Sequence, residues 1–334
     1  MKNYLNDHRK GKDLKRIFSN TLNFIKSNDE ISILIIFIGM MLFASIGIPA
    51  FRTLYNVKVV IRQFSLVTIV AMGQAIVLIT GMFDLSVGAI VALSGITGSY
   101  LVVMRDWPVW LSVLGAITVG CCCGLFNGFL VSKVKINPII ATVASGWIFS
   151  GIILVTTEGW PISNFPSNFA FLGQGSFLGI PLPILMMITI AIIITFFLSR
   201  TIYGRFLYAV GGNEKGCVFA GVNVGKYKIM AYAICGTLSG LAGVILASRM
   251  GSAQAESGLS WTLPTVAACV IGGVSLQGGK GKIYGVVIGA ALLGTINNIL
   301  VLIRVSPYWQ SLISGLILLF AVAYDSFRKG KNLI

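Results

Sequence analysis

The stretch RTIYGRFLYAVGGNEKGCVFAGVNVGKYK, Arg200 to Lys228, decides the fold by contrast with its flanks. It is charged and punctuated by glycine, and it separates Ile184 to Leu198 from Ile229 to Ala247, two runs without a charged residue. A polar segment bounded in this way must return to water, while its neighbours belong in an apolar medium. Its length and its mixture of charge with Phe206, Tyr208 and Phe219 distinguish it from an ordinary connection and predict a docking element. A short helix is expected over Glu214 to Ala220, after the turn Gly211-Gly212-Asn213, placed to enter a groove on a soluble partner. The plainer alternative is a positively charged loop that does no more than orient the chain.

Composition extends the same reading outward. Of 334 residues, 56% are hydrophobic and 10% charged, against roughly 25% charged in an average soluble domain. The apolar runs approach the roughly 20 residues that cross a bilayer core and lack period-2 alternation, so the fold class is all-α, a polytopic membrane protein and not a β-barrel. Thirty-nine glycines suit close helix packing and broken helices. The net charge of +15 sits in the gaps between apolar runs, with no aromatic-interleaved basic face, so it implies no nucleic-acid partner. Cys121, Cys122, Cys123, Cys235 and Cys269 lie in apolar runs and Cys217 in the central segment, none with metal-ligand spacing. The one histidine, His8, lies in the polar N-terminal tail, which excludes a histidine-based metal cluster or catalytic triad in the membrane part.

Ten spans are expected: Ile31 to Ile48, Val59 to Thr80, Val87 to Met104, Val109 to Val131, Pro138 to Val155, Pro183 to Leu198, Ile229 to Ala247, Leu263 to Val274, Ile283 to Leu302 and Tyr308 to Tyr324. The eighth is too short for a straight crossing and ends in a cluster of glycines, so a broken or re-entrant helix is predicted there. With the N-terminus in the cytoplasm, 19 of the 25 Lys and Arg fall on the inner side and six on the outer side; the positive-inside rule then puts both termini in the cytoplasm of a cell-membrane protein. The layout is a 1–30 tail, a 31–325 transmembrane domain containing the 200–228 loop, and a 326–334 tail. Within the first tail, Leu14, Ile17, Phe18, Leu22 and Ile25 fall at helical spacing among lysines and predict an interfacial helix. The outer segment Thr156 to Leu182 mixes aromatics, Pro and Gly; it reads either as packed loop structure capping the outer mouth or as an aromatic belt.

No Asp or Glu falls at mid-depth in a span, which counts against proton- or sodium-coupled transport and leaves energy to come from elsewhere. Asp84 follows the breaker Gly81 and is placed to cap the next helix, or to make a contact that a transport cycle breaks. The candidate pathway residues are Gln74, Asn127, Thr142, Trp147, Asn297 and Asn298, amides, a hydroxyl and an aromatic that suit an uncharged polyhydroxylated solute; each taken singly also reads as an interhelical hydrogen bond.

Several motifs, in order from about residue 60 to 325, resemble the permease subunits of bacterial ABC importers for simple sugars, the ribose, galactoside, xylose and autoinducer-2 group. The pattern GRxxYAxGGN is matched by Gly204, Arg205, Tyr208, Ala209, Gly211, Gly212 and Asn213, followed by Glu214 and Gly221. GMFDLSVG at Gly81 to Gly88, Asn127 to Leu130, Pro138 to Thr142, Ala268 to Gly281 and Ser306 to Gln310 match further patterns. Met82 replaces a usual glycine, Lys215 to Phe219 replaces an Ala-rich run, and Asn298 replaces the glycine of an Asn-Gly pair. Gly216 in that run is expected to weaken the short helix by about 1 kcal/mol.

The resemblance implies a subunit that pairs with a second, identical or homologous permease, receives sugar from an extracellular or periplasmic binding protein, and docks a cytoplasmic ABC ATPase through Gly204 to Val222. ATP and Mg belong to that ATPase; the chain has no GxxxxGK[ST] motif and is expected to bind no cofactor itself and to be no enzyme. The rivals are a branched-chain amino acid permease, an ion-coupled secondary sugar carrier and, more distantly, a membrane enzyme.

Overall fold

The computed structural model of the chain describes residues 29–330. The chain is mostly helical: α1 (Asp29–Gly47), α2 (Leu54–Ile79), α3 (Val87–Met104), α4 (Val109–Ser132), α5 (Pro138–Thr157), α6 (Ser167–Gln174), α7 (Leu182–Arg200), α8 (Ile202–Gly212), α9 (Glu214–Phe219), α10 (Val224–Met250), α11 (Thr262–Ile271), α12 (Ile283–Leu302) and α13 (Pro307–Gly330). Seven of them, α2, α3, α4, α5, α7, α10 and α12, are long and apolar enough to cross a membrane. The other three expected spans fall on the shorter apolar stretches of α1 and α11 and on the 24-residue α13. The helix expected among residues 12–26 lies outside the described residues. The last expected boundary is blurred, because α13 continues through 326–330.

The centre is α10, a 27-residue helix packed along α2, α3 and α4. Small residues bring these backbones together. Gly120, Gly124 and Gly128 repeat every four residues on one stripe of α4 and face Gly236, Gly240, Tyr232 and Ile229 of α10. A Cβ at Gly128 would lie 2.7 Å from the Ile229 Cα, and one at Gly120 2.8 Å from the Gly240 Cα. Between α3 and α10, a Cβ at Gly95 would sit 2.8 Å from the Gly243 carbonyl oxygen. Such contact replaces the hydrophobic effect, which gives helices in lipid no reason to associate, with dispersion over closely apposed backbone.

Alternating helix direction sorts the connections to two ends of the molecule. At one end, 158–181 and 251–261 meet: β1 (Ile162–Ser163) pairs antiparallel with β4 (Ser252–Ala253), with Ile162 opposite Ala253, while β2 (Ser176–Phe177) and β3 (Ile180–Pro181) form a hairpin. Helix α6 is pinned there to the end of α10. Phe169 is fully buried, Ser248 Oγ donates to the Phe169 carbonyl at 2.6 Å and accepts the Gly173 N–H at 2.7 Å, and Arg62 Nη2 donates to the Gln174 carbonyl at 2.8 Å. This loop is therefore packed structure around Phe169, while Trp160 remains exposed.

Candidate functional site

The opposite end carries the stretch from Arg200 to Lys228, which is two helices and not one loop. Helix α8, unforeseen in the sequence, starts where Thr201 Oγ1 accepts the Gly204 N–H at 3.1 Å. It buries Gly204, Leu207 and Val210 and leaves Ile202, Tyr203 and Arg205 exposed. Gly204 is required for space, since a Cβ there would meet the Leu198 Cα at 2.6 Å. Asn213 ends α8 and caps α9, its Oδ1 accepting the Gly216 N–H at 2.8 Å. The expected short helix forms as Glu214–Phe219; it buries Cys217 and exposes Val218 and Phe219, the latter 90%. Gly221, at φ +76°, turns the chain toward α10. Glu214 accepts a 2.8 Å ion pair from Lys228 Nζ, and the Phe206 and Tyr227 rings lie 5.1 Å apart, so both short helices are tied to the first turn of α10.

The C-terminal turn of α8 sits on backbone. Gly211 lies directly against the Ile79 carbonyl at the end of α2, which also accepts the Gly279 N–H at 2.8 Å. A Cβ at Gly279 would lie 2.7 Å from the Gly212 Cα, and one at Gly278 2.8 Å from the Gly81 nitrogen. Tyr208 Oη adds a 2.7 Å bond to the Gly281 carbonyl. Burial pushes the Tyr208 phenol up, partly offset by the nearby Lys282 ammonium, so it stays a donor at physiological pH. The short segment from Gly272 to Lys282 thus links α8, α2, α11 and α12 mainly through close backbone contacts, with the Tyr208 hydroxyl added.

Beside this junction, Asp84 is fully buried in the turn between α2 and α3. It does not cap α3 directly. The helix begins at Val87 with Ser86 at the cap position, and Asp84 Oδ1 accepts the Ser86 N–H at 2.9 Å and the Ser86 hydroxyl at 2.6 Å. The turn is locked from three helices: Asn127 Nδ2 of α4 donates to Ser86 Oγ (2.8 Å), Thr142 Oγ1 of α5 accepts the Leu85 N–H (3.0 Å), and Tyr232 Oη of α10 donates to the Phe83 carbonyl (2.7 Å).

The six candidate pathway residues do not converge. Asn127 and Thr142 hold the Asp84 turn. Gln74 is buried between α2 and α10, its Oε1 4.0 Å from Cys235 Sγ. Asn298 exchanges two hydrogen bonds, 3.0 and 2.9 Å, with Asn56. Asn297, next to it in sequence, is half-buried, and Trp147 is 79% exposed on the outer face of α5. Sequence reasoning missed Ser86, Tyr232 and Asn56. Ser86 lies inside the quoted GMFDLSVG motif and Tyr232 is a tyrosine within an uncharged run, both visible signals; Asn56 precedes its apolar run and gave none.

The match to a family model, described as the permease component of branched-chain amino acid transport systems, covers residues 56–322. The chain is 42% identical over 288 residues to the ribose import permease protein RbsC of Bacillus subtilis, covering 86% of this chain and 89% of that one. It is 36% identical over 310 residues to the L-arabinose transport system permease protein AraH of Escherichia coli, covering 93% and 94%, and 34% identical over 291 residues to the D-allose permease AlsC of the same species, covering 87% and 89%. No solved structure matches. A chain whose described residues include seven helices fit to cross a membrane, matched along its helical body by such proteins, is a transporter component and not an enzyme: it belongs to the permease-component family of branched-chain amino acid transport systems, in the company of ABC importer permeases.

Proposed function

We propose that the chain is the membrane-spanning subunit of an ATP-driven importer of a simple sugar, an aldose of the size of ribose, arabinose or allose, working by alternating access. The observation that carries this is the paired helix α8–α9, with Arg205, Val218 and Phe219 exposed and its base seated on the ends of α2 and α10. An exposed aromatic tip on a short helix suits insertion into a groove of a soluble partner. That partner is a cytoplasmic ABC ATPase carrying ATP and Mg, and its closure moves α8–α9 and hence α2, α10 and the 272–282 segment. The positive-inside count puts this end and both termini in the cytoplasm, consistent with ten crossings, and leaves the β1–β4 end for the sugar-delivering binding protein. A second permease copy, identical or homologous, completes the pore; the exposed Trp147 face of α5 is available to that copy or to lipid.

The sugar names carried by the relatives favour this reading over a branched-chain amino acid permease, although the family description is worded for the latter. Vesicles containing the chain with its co-encoded ATPase and binding protein should take up labelled aldose with ATP inside and show none with a proton or sodium gradient alone. Uptake driven by the gradient without ATP would establish a secondary carrier; uptake of leucine but no aldose would establish the amino acid alternative.

A further inference from the structure

A groove of about 600 Å³ runs along the surface between α7 and α12 and ends at Arg200, just before α8. Its walls are apolar: Ile192, Phe196 and Val287 line it, with Tyr284 near its end. The α7 residues bordering it recur from Ala191 to Arg200 on one helical face, about 14 Å of helix at 1.5 Å per residue. That matches one leaflet of a hydrocarbon core ~30 Å thick. The end of the groove is cationic. Arg200, exposed in the last turn of α7, is part of its lining, and Lys282, the residue before α12, holds its ammonium 5.5 Å from the centre of the Tyr284 ring. Among the described residues, no acidic side chain lines it. Arg200 closes α7 and Lys282 precedes α12, so with both apolar helices in the bilayer the groove pairs an apolar trough with positive charge at the level of the headgroups.

We propose that this groove is a binding site for an anionic phospholipid, one acyl chain lying against Ile192, Phe196 and Val287 and the phosphate between Arg200 and Lys282. Charge complementarity selects the occupant. A zwitterionic lipid fills the trough equally well but gains nothing from the cationic end, whereas basic pockets between transmembrane helices retain anionic headgroups. A second copy of the chain would have to bring acidic groups to this level. The site lies at the base of α7, one residue from the start of α8, and its occupancy therefore fixes the membrane depth of the helix pair read above as the docking element. It depends on α7 and α12 spanning the membrane, not on which solute is carried.

The test is native mass spectrometry of the purified transporter complex titrated with dioleoyl-phosphatidylglycerol or dioleoyl-phosphatidylcholine. The intact complex should bind the first phosphatidylglycerol at least tenfold more tightly than the first phosphatidylcholine. The double variant R200Q/K282Q should lose that preference, while K133Q/K135Q, which removes equal charge elsewhere, should keep it. Thr195→Trp, which fills the trough and leaves both cations in place, should also lose the tight site. A preference that survives both R200Q/K282Q and Thr195→Trp would overturn the proposal, as would equal affinity for the two lipids, or crosslinking of two copies through cysteines placed at residue 192.

Discussion

At the scale of single residues, Asp84 illustrates how a buried carboxylate becomes structural. Its Oδ1 serves both hydrogens of Ser86, and the turn they close is gripped by Asn127, Thr142 and Tyr232 from three helices. Asp84→Ala should leave two buried donors unsatisfied and cost about 1–3 kcal/mol, whereas Asp84→Asn retains an acceptor and should cost less. Thermal unfolding of the detergent-purified chain checks the order; equal midpoints for the two variants would remove the turn-locking role. Tyr208 tests the proposed relay in the same way. Tyr208→Phe keeps the ring and deletes only the 2.7 Å bond to Gly281, so stability should fall by about 0.5–1.5 kcal/mol. If α8 drives the 272–282 segment through this bond, sugar moved per ATP hydrolysed should fall as well, with ATP hydrolysis by the assembled complex retained. An unchanged ratio would make the bond merely structural.

At the scale of elements, the α4–α10 contact and helix α9 show two uses of glycine. On α4 the stripe Gly120, Gly124, Gly128 lets backbones touch. Gly128→Ala places a methyl 2.7 Å from the Ile229 Cα; both neighbours are helical backbone and cannot yield singly, so the expected cost is about 1–3 kcal/mol of overpacking. Gly151→Ala on α5, with open space around it, should stabilise by a few tenths to about 1 kcal/mol. If both changed the unfolding midpoint alike, close packing would not be what fixes α4 against α10. The short helix α9 forms as expected with Gly216 inside it. A Cβ there would lie 2.9 Å from Asn213 Nδ2 and 3.0 Å from its Cγ, against the very side chain that caps α9, so the glycine is matched to its cap.

At the scale of the whole molecule, the two ends are built differently. The end bearing β1–β4 is closed by local pairing and by α6 pinned to Ser248, while the α8–α9 end is joined through backbone contacts of Gly81, Gly211, Gly278 and Gly279. A joint made of backbone against backbone has little side-chain freedom to absorb displacement, which suits transmission from the proposed ATPase into α2, α10 and α12. Replacing Arg205 and Glu214 together by alanine removes an exposed cation and frees Lys228 from its 2.8 Å ion pair. ATP-driven uptake should fall at least tenfold while the chain still inserts and folds, read as unchanged membrane abundance and unfolding midpoint. Normal uptake would count against this helix pair as the energy input.

Hydropathy and the charge distribution were enough to read a polytopic helical membrane protein from the chain, because partition between water and lipid depends on composition over some 20 residues and not on what each residue touches; its reading as a transporter came from the motifs. The quoted motifs marked the segment Arg200 to Lys228 with its short helix α9 and the Asp84 turn for the same local reason: caps and turns act over three or four residues. Only the tertiary structure decided that Arg200 to Lys228 contains a second helix, that Asp84 bonds Ser86 and not the helix after it, and that the six pathway candidates do not gather at one place. Those outcomes depend on which helix faces which, set by close approach at glycines far apart in the chain. Gly211 and Gly279 fall in motifs that sequence can quote, but that both meet the end of α2 is visible only in the fold.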